Sequence, residues 1–180
     1  WHFDHGHPLG PIMRSICSHC GETHAEWPPD LGFQRPDEVW VLDEDAATSR
    51  VKANNDLCIL DERRHFIRGI LFVPVRNIDE SWGIGLWVEV EKLHFDRYCD
   101  HYDEDGTSEP RFPGSIANAL RAFPGALGAT VEIQLGSSTE RPSLWFCEGS
   151  SVDLAVAQIG GLDDAQLHAA LRIEQPHRYP

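Results

Sequence analysis

Hydrophobic residues alternate with others along several stretches of this chain and recur at helical spacing in a few more. In residues 65–75, HFIRGILFVPV, Phe66, Arg68, Ile70 and Phe72 fall on one side of an extended strand, and His65, Ile67, Leu71 and Val73 on the other. Both sides are mostly apolar, which predicts a central strand covered on two faces, with Arg68 the odd member. DLCILD, residues 56–61, reads as the strand before it, joined through a DERR turn. WGIGLWVEVE, residues 82–91, reads as a third strand in which Trp87 alternates with Glu89 and Glu91, so one side becomes wet towards its end. ATVEIQL and SLWFCE read as two more strands, linked by GSSTERP.

Helical spacing and end signals predict the rest. PDEVWVLDEDAATSRV, from Pro36, has a proline and acids at its start and an arginine near its end, the polarity that suits a helix dipole, and predicts three turns. KLHFDRYCDHYDED is expected to be a helix with Leu93, Tyr98 and Tyr102 turned inward. SIANALRAF is expected to be a short helix stopped by Pro124 and Gly125, and the tail to form two helices broken at Gly160 and Gly161. WPPDLGFQRP and DEDGTSEPRFPG read as loops on their prolines and glycines. Strands are joined by turns or single helices without regular strand-helix alternation. The expected class is α+β, one domain with a mixed or mainly antiparallel sheet.

Length and composition agree with a single core. A chain of 180 residues with 41% hydrophobic content is a globular profile for one domain. Residues 1–14 read as a leader or appended segment outside the fold, and 15–176 as the domain, with 15–35 a knuckle and loop. No run of eighteen apolar residues occurs and no signal-peptide pattern is present, so the expected location is cytoplasmic, away from membranes. With 29 acidic against 15 basic residues the net charge is −14, which disfavours nucleic acid and favours a basic protein partner.

The candidate chemistry lies first in SICSHCGETH. A CxxC followed by Gly21 presents two thiolates to one ion, and a structural zinc requires four ligands. Cys17 and Cys20 supply two. His24 and Cys58 are the candidates for the others, His19 being geometrically poorer; the alternative for Cys58 is a buried strand thiol. A redox pair is disfavoured because no strand-helix unit brackets the motif. Arg68 on its apolar face is a candidate for clamping a carboxylate or phosphate, with Trp87 beside it as a ligand-binding aromatic; a structural ion pair is the alternative. The His94, Asp96, Asp100, His101, Asp103, Glu104 and Asp105 group reads mainly as a solvated face. No nucleophile elbow, phosphate loop or HExxH occurs, so catalysis has no anchor.

CSHCGETH, NDLCILD, HFIRGILFVPV, GLWVEVE, RPSLWF and DLAVAQIGGL, in that order over residues 15–162, resemble a bacterial domain-of-unknown-function family, number 2199. The resemblance implies that Cys17, Cys20, His24 and Cys58 are a family feature, and Phe66, Arg68, Gly69, Pro74, Gly85 and Trp87 also match it. The chain departs at Val152, Asp153 and Ala157, where that family commonly has His-Pro before Leu-Ala and a glutamate before glutamine, and at Ile84, where a tryptophan is usual. A histidine used by relatives would be missing here, which favours binding over turnover. The functional expectation is a non-enzymatic interaction protein with a structural zinc, in its sharpest form an immunity-type inhibitor that covers a basic toxin. The alternatives are a zinc-dependent hydrolase with an open metal position and a small-ligand-sensing domain around Arg68.

Overall fold

The two longest alternating stretches pair with each other. In the computed structural model, which describes residues 21, 28–76 and 78–179, β4 (Arg64–Val75) and β5 (Glu80–Val90) run antiparallel from His65↔Val90 to Val75↔Glu80. Period-two alternation brings Ile67, Leu71 and Val73 to one side with Trp82, Ile84, Leu86 and Val88, all fully buried. Three further strands, β6 (Phe112–Ile116), β7 (Thr130–Gln134) and β8 (Ser143–Phe146), follow as antiparallel neighbours. β8 then returns to β4 and closes a five-stranded barrel. An up-and-down path of five strands leaves the first and last pointing the same way, so the closing pair has to be parallel. It is, at Ile70↔Ser143 and Leu71↔Leu144.

Closure needs a close approach at Gly69. A Cβ there would lie 2.6 Å from Leu144 Cδ2 and 3.0 Å from the Pro142 carbonyl oxygen, so any side chain would push β8 off β4. Phe112, Ile116, Val131, Ile133 and Leu144 complete the interior. Phe95 and Tyr98 of α3 (Lys92–Asp100), Leu154 and Ala157 of α4 (Asp153–Gly160), and Leu167 and Leu171 of α5 (Asp164–Glu174) join the same core. α5 starts on a reciprocal cap between Asp163 and Gln166.

Outside the barrel, β3 (Leu57–Leu60) pairs antiparallel with β4, and β2 (Val51–Ala53) with β3. β1 (Leu31–Gly32) lies parallel to β5. With α1 (Asp37–Trp40), these strands enclose a second, smaller core of Val39, Cys58, Leu60, Phe66 and Trp87. Arg64 binds Glu89 through Nε and Nη2 at 2.7 and 2.6 Å and also reaches Glu38, which ties α1 to the sheet. No helix among the described residues is long and apolar enough to cross a membrane.

The α+β class and the mixed, mainly antiparallel sheet are as expected; the knuckle at 15–35 lies largely outside the described residues. Five local expectations are corrected. The helix after Pro36 is two helices, α1 and α2 (Glu44–Arg50), because Asp43 is extended and its side chain accepts from Ala46 N, restarting the helix as an N-cap. SIANALRAF is not a helix: Ser115 and Ile116 finish β6, Ala117 N donates to Trp87 O at 2.8 Å, and the Asn118 side chain takes the next pairing position. β6 begins inside the expected 103–114 loop, and β1 inside the expected 27–36 loop, each because a partner edge of β5 is available. Leu93, in the first turn of α3, is 71% exposed while Phe95 turns inward with Tyr98. α3 ends at Asp100, which leaves Tyr102 in the following turn and partly open.

Asn118 is fully buried and has no slack. Its Oδ1 accepts from Trp87 N at 2.8 Å and its Nδ2 donates to Arg35 O and Asp37 Oδ1, both at 2.9 Å. Asn118→Ala leaves these groups unpaired and is expected to cost about 1–3 kcal/mol in urea unfolding. Gly69→Ala is expected to cost a similar ~1–3 kcal/mol through overpacking at the barrel seam; an unchanged midpoint would refute the tight closure.

Candidate anion-binding site

The outer face of β4 carries Phe66, Arg68, Ile70 and Phe72, as the alternation requires. β5 occupies one edge of β4 along its whole length, so β3 and β8 must share the other. β3 pairs as far as Ile67 and β8 begins at Ile70. Between them, Arg68 N donates to Asp56 O at 2.9 Å and Ile70 N to Pro142 O at 2.8 Å, so the backbone stays satisfied while the two partner strands diverge. The chains entering β3 and β8 meet there through Arg141 Nε and Asp56 Oδ1 at 2.6 Å, and Tyr102 Oη donates to Asp56 Oδ2 at 2.9 Å. The fork opens a crevice of about 510 Å³, lined among others by Ile70, Phe72, Tyr98, Tyr102 and Arg141.

Arg68 lies across a glycine floor. A Cβ on Gly32 or Gly85, paired partners in β1 and β5, would stand 3.0 or 3.6 Å from its Nη2. A side chain at Gly32 would force the end of the guanidinium to shift. Arg68 Nε is buried and has no hydrogen-bond partner, and no carboxylate among the described residues pairs with the guanidinium. Burial pulls Arg68 below the ordinary arginine range, Arg141 pushes the same way, Asp56 partly opposes and Arg35 adds to the depression. Arg35 is tethered beside this face by Nη1 to Gln34 O and Asn54 O. Three guanidiniums thus act on one region against a single carboxylate, and that carboxylate already receives Arg141 and Tyr102.

The two expected ligand-binding residues, Arg68 and Trp87, stand opposite each other in register. They are not equivalent. Trp87 is fully buried and its indole N–H donates to Phe33 O at 3.1 Å, so it acts as a core pillar, whereas Arg68 keeps unspent donors. Of the expected zinc ligands, Cys17, Cys20 and His24 lie outside the described residues. Cys58 is fully buried against Phe66 and its apolar neighbours, and burial pushes its thiol up to about 11, with Arg35 opposing slightly. No group of three or more metal-ligating side chains occurs among the described residues.

The acidic and histidine-rich stretch after Glu91 serves mainly packing and local pairs. His94 stacks on Phe112 at 4.7 Å, Asp96 receives Lys92, and His101 stands 3.8 Å from Glu104 and 3.6 Å from Glu109. Asp103 lines the crevice. Asp56, Tyr102, Arg141 and the glycine floor belong to this arrangement and were not singled out as ligand-site positions from the sequence. Asp56 is 46 residues from Tyr102 and 85 from Arg141, and no local spacing could have joined them.

No curated protein and no solved structure matches this chain, so none lends it an activity or a bound ligand. A family model does match, over residues 16–162, a span that contains the whole barrel, both sides of the fork and all three arginines. The chain belongs to the family described as uncharacterized protein conserved in bacteria (DUF2199).

Proposed function

We propose that this protein is a binding domain that holds the carboxylate or phosphate of a small anionic ligand on the guanidinium of Arg68. The observation that carries this reading is the buried Nε of Arg68, left without a partner beside Arg35 and Arg141. An unsatisfied buried donor is costly, and the cost rises when like charges stand near it. An anion would remove both terms at once, and the planar fork of arginine suits two-oxygen acceptors. The surroundings are suited to holding and not to turnover: glycines beneath, and one carboxylate engaged by two donors. A basic protein partner, by contrast, is supported by net charge alone. The zinc clip of Cys17, Cys20, His24 and Cys58 is a separate proposal about architecture, which metal analysis of purified protein tests.

Thermal unfolding with added inorganic phosphate tests the site. At about ten times Kd, phosphate should stabilise the protein by about 1.4 kcal/mol, a rise in Tm of roughly 3–6 °C. Sodium chloride at equal ionic strength should not reproduce the rise. Arg68→Met should abolish the response while melting at the same or a higher temperature, because it removes a desolvated and unpaired charge. A phosphate response that persists in Arg68→Met, or a variant destabilised by more than about 2 kcal/mol, would make Arg68 structural.

A further inference from the structure

We infer that the crevice between β3 and β8 is a second binding site, for an organic cation of the methylated-ammonium kind held against Phe72, Tyr98 and Tyr102. This goes beyond the anion-site reading and does not rest on it. Arg68 lies over Gly32 and Gly85, towards β1 and β5, whereas the crevice lies at the opposite edge of β4. Three aromatic rings border that one space: Phe72 from the outer face of β4, and Tyr98 and Tyr102 from α3 and the turn after it. The two tyrosine rings stand 5.7 Å apart at 64° and so form a corner. Phe72, 42% exposed, leaves ring surface open beside it. A volume of about 510 Å³ admits a trimethylammonium head with a short tail.

The sign of the charge in the crevice favours a cation. Asp56, Asp103 and Glu140 line it against one guanidinium, that of Arg141, and Arg141 is matched by Asp56 at 2.6 Å. Asp103 and Glu140 enter no ion pair among the described residues. The phenols register the balance. The hydrogen bond to Asp56, then burial, then the charges of Asp56 and Asp103 hold Tyr102 above the ordinary tyrosine range, with Arg141 opposing. Burial, and after it Asp56, raises Tyr98 in the same direction. The arrangement also selects the kind of cation. Both oxygens of Asp56 are engaged, by Arg141 and Tyr102, and Asp103 and Glu140 stand exposed at the rim, so the carboxylates act through their field and not by close coordination. A magnesium ion or a primary ammonium would give up strongly held water without gaining a set of ligands. A methylated ammonium gives up little and gains the attraction of the aromatic rings.

Calorimetric titration of the full chain with choline tests this, against neohexyl alcohol, the uncharged isostere with carbon in place of nitrogen, and against magnesium chloride. Wild type should bind choline saturably and the isostere about tenfold more weakly. Magnesium at equal ionic strength should not displace choline. Tyr102→Leu, which removes a ring and keeps apolar bulk, should weaken choline by about tenfold and bring it level with the isostere. Phe72→Leu, a change outside both cores, is the second variant and carries the same expected loss should Tyr102→Leu fail to give a native melt. Equal affinity of wild type for choline and neohexyl alcohol would make the crevice a plain apolar cleft and overturn the inference. Absence of choline binding, or choline affinity unaltered in both variants, would overturn it too, and displacement by magnesium would make the crevice a metal site instead. None of these results bears on Arg68, which the phosphate response tests separately.

Discussion

Every backbone donor and acceptor along the outer edge of β4 has to be paired, yet two strands from distant parts of the chain compete for that edge. Barrel closure by an odd number of strands sends β8 back parallel to β4, and the β3 hairpin already holds the first part of the same edge. The compromise is a change of partner at Arg68 and Gly69. Asp56 O and Pro142 O, each just ahead of its strand, supply the two missing acceptors. Two strands that leave one edge in different directions cannot keep side chains packed between them, and the crevice follows from that divergence.

β5 meets the mirror problem and answers it differently. Its free edge carries β1 at Ile84 and Gly85 and β6 at Val88 and Glu89. Here the gap is filled by a side chain, Asn118, whose amide stands in for a strand backbone against Trp87 N. Asn118 also binds Arg35 O and Asp37 and draws α1 down over Trp87. One seam is sealed and structural. The other is left open, with charge beside it.

That charge runs against the composition of the chain. Acids outnumber basic residues by 29 to 15, and Arg64 takes two carboxylates while Arg76, Arg97 and Arg111 take one each. Arg68 does not, among the described residues. Leaving its buried Nε without an acceptor lowers stability, and the anion proposed above would supply that acceptor. The glycine floor points the same way: Gly32 and Gly85 clear the space in which the guanidinium lies flat, at the expense of side chains that would otherwise have packed there.

Strands β3, β4, β5, β7 and β8 and helices α3, α4 and α5 could be read directly from the order of residues, because each buries one face by a period that neighbouring positions reveal. Arg68 could be singled out on the same ground, as a charge where the period calls for an apolar group. The short strands β1, β2 and β6 could not be read this way, since two to five residues hold too little pattern and form where a partner edge is offered. Barrel closure, the fork at Arg68 and Gly69, and the meeting of Asp56 with Tyr102 and Arg141 belong to the folded chain alone. They join positions 46 to 85 residues apart through hydrogen bonds that exist only in the folded chain. Local periodicity reports which face of an element is buried; it carries no information about which distant element will cover it, or where two of them will part.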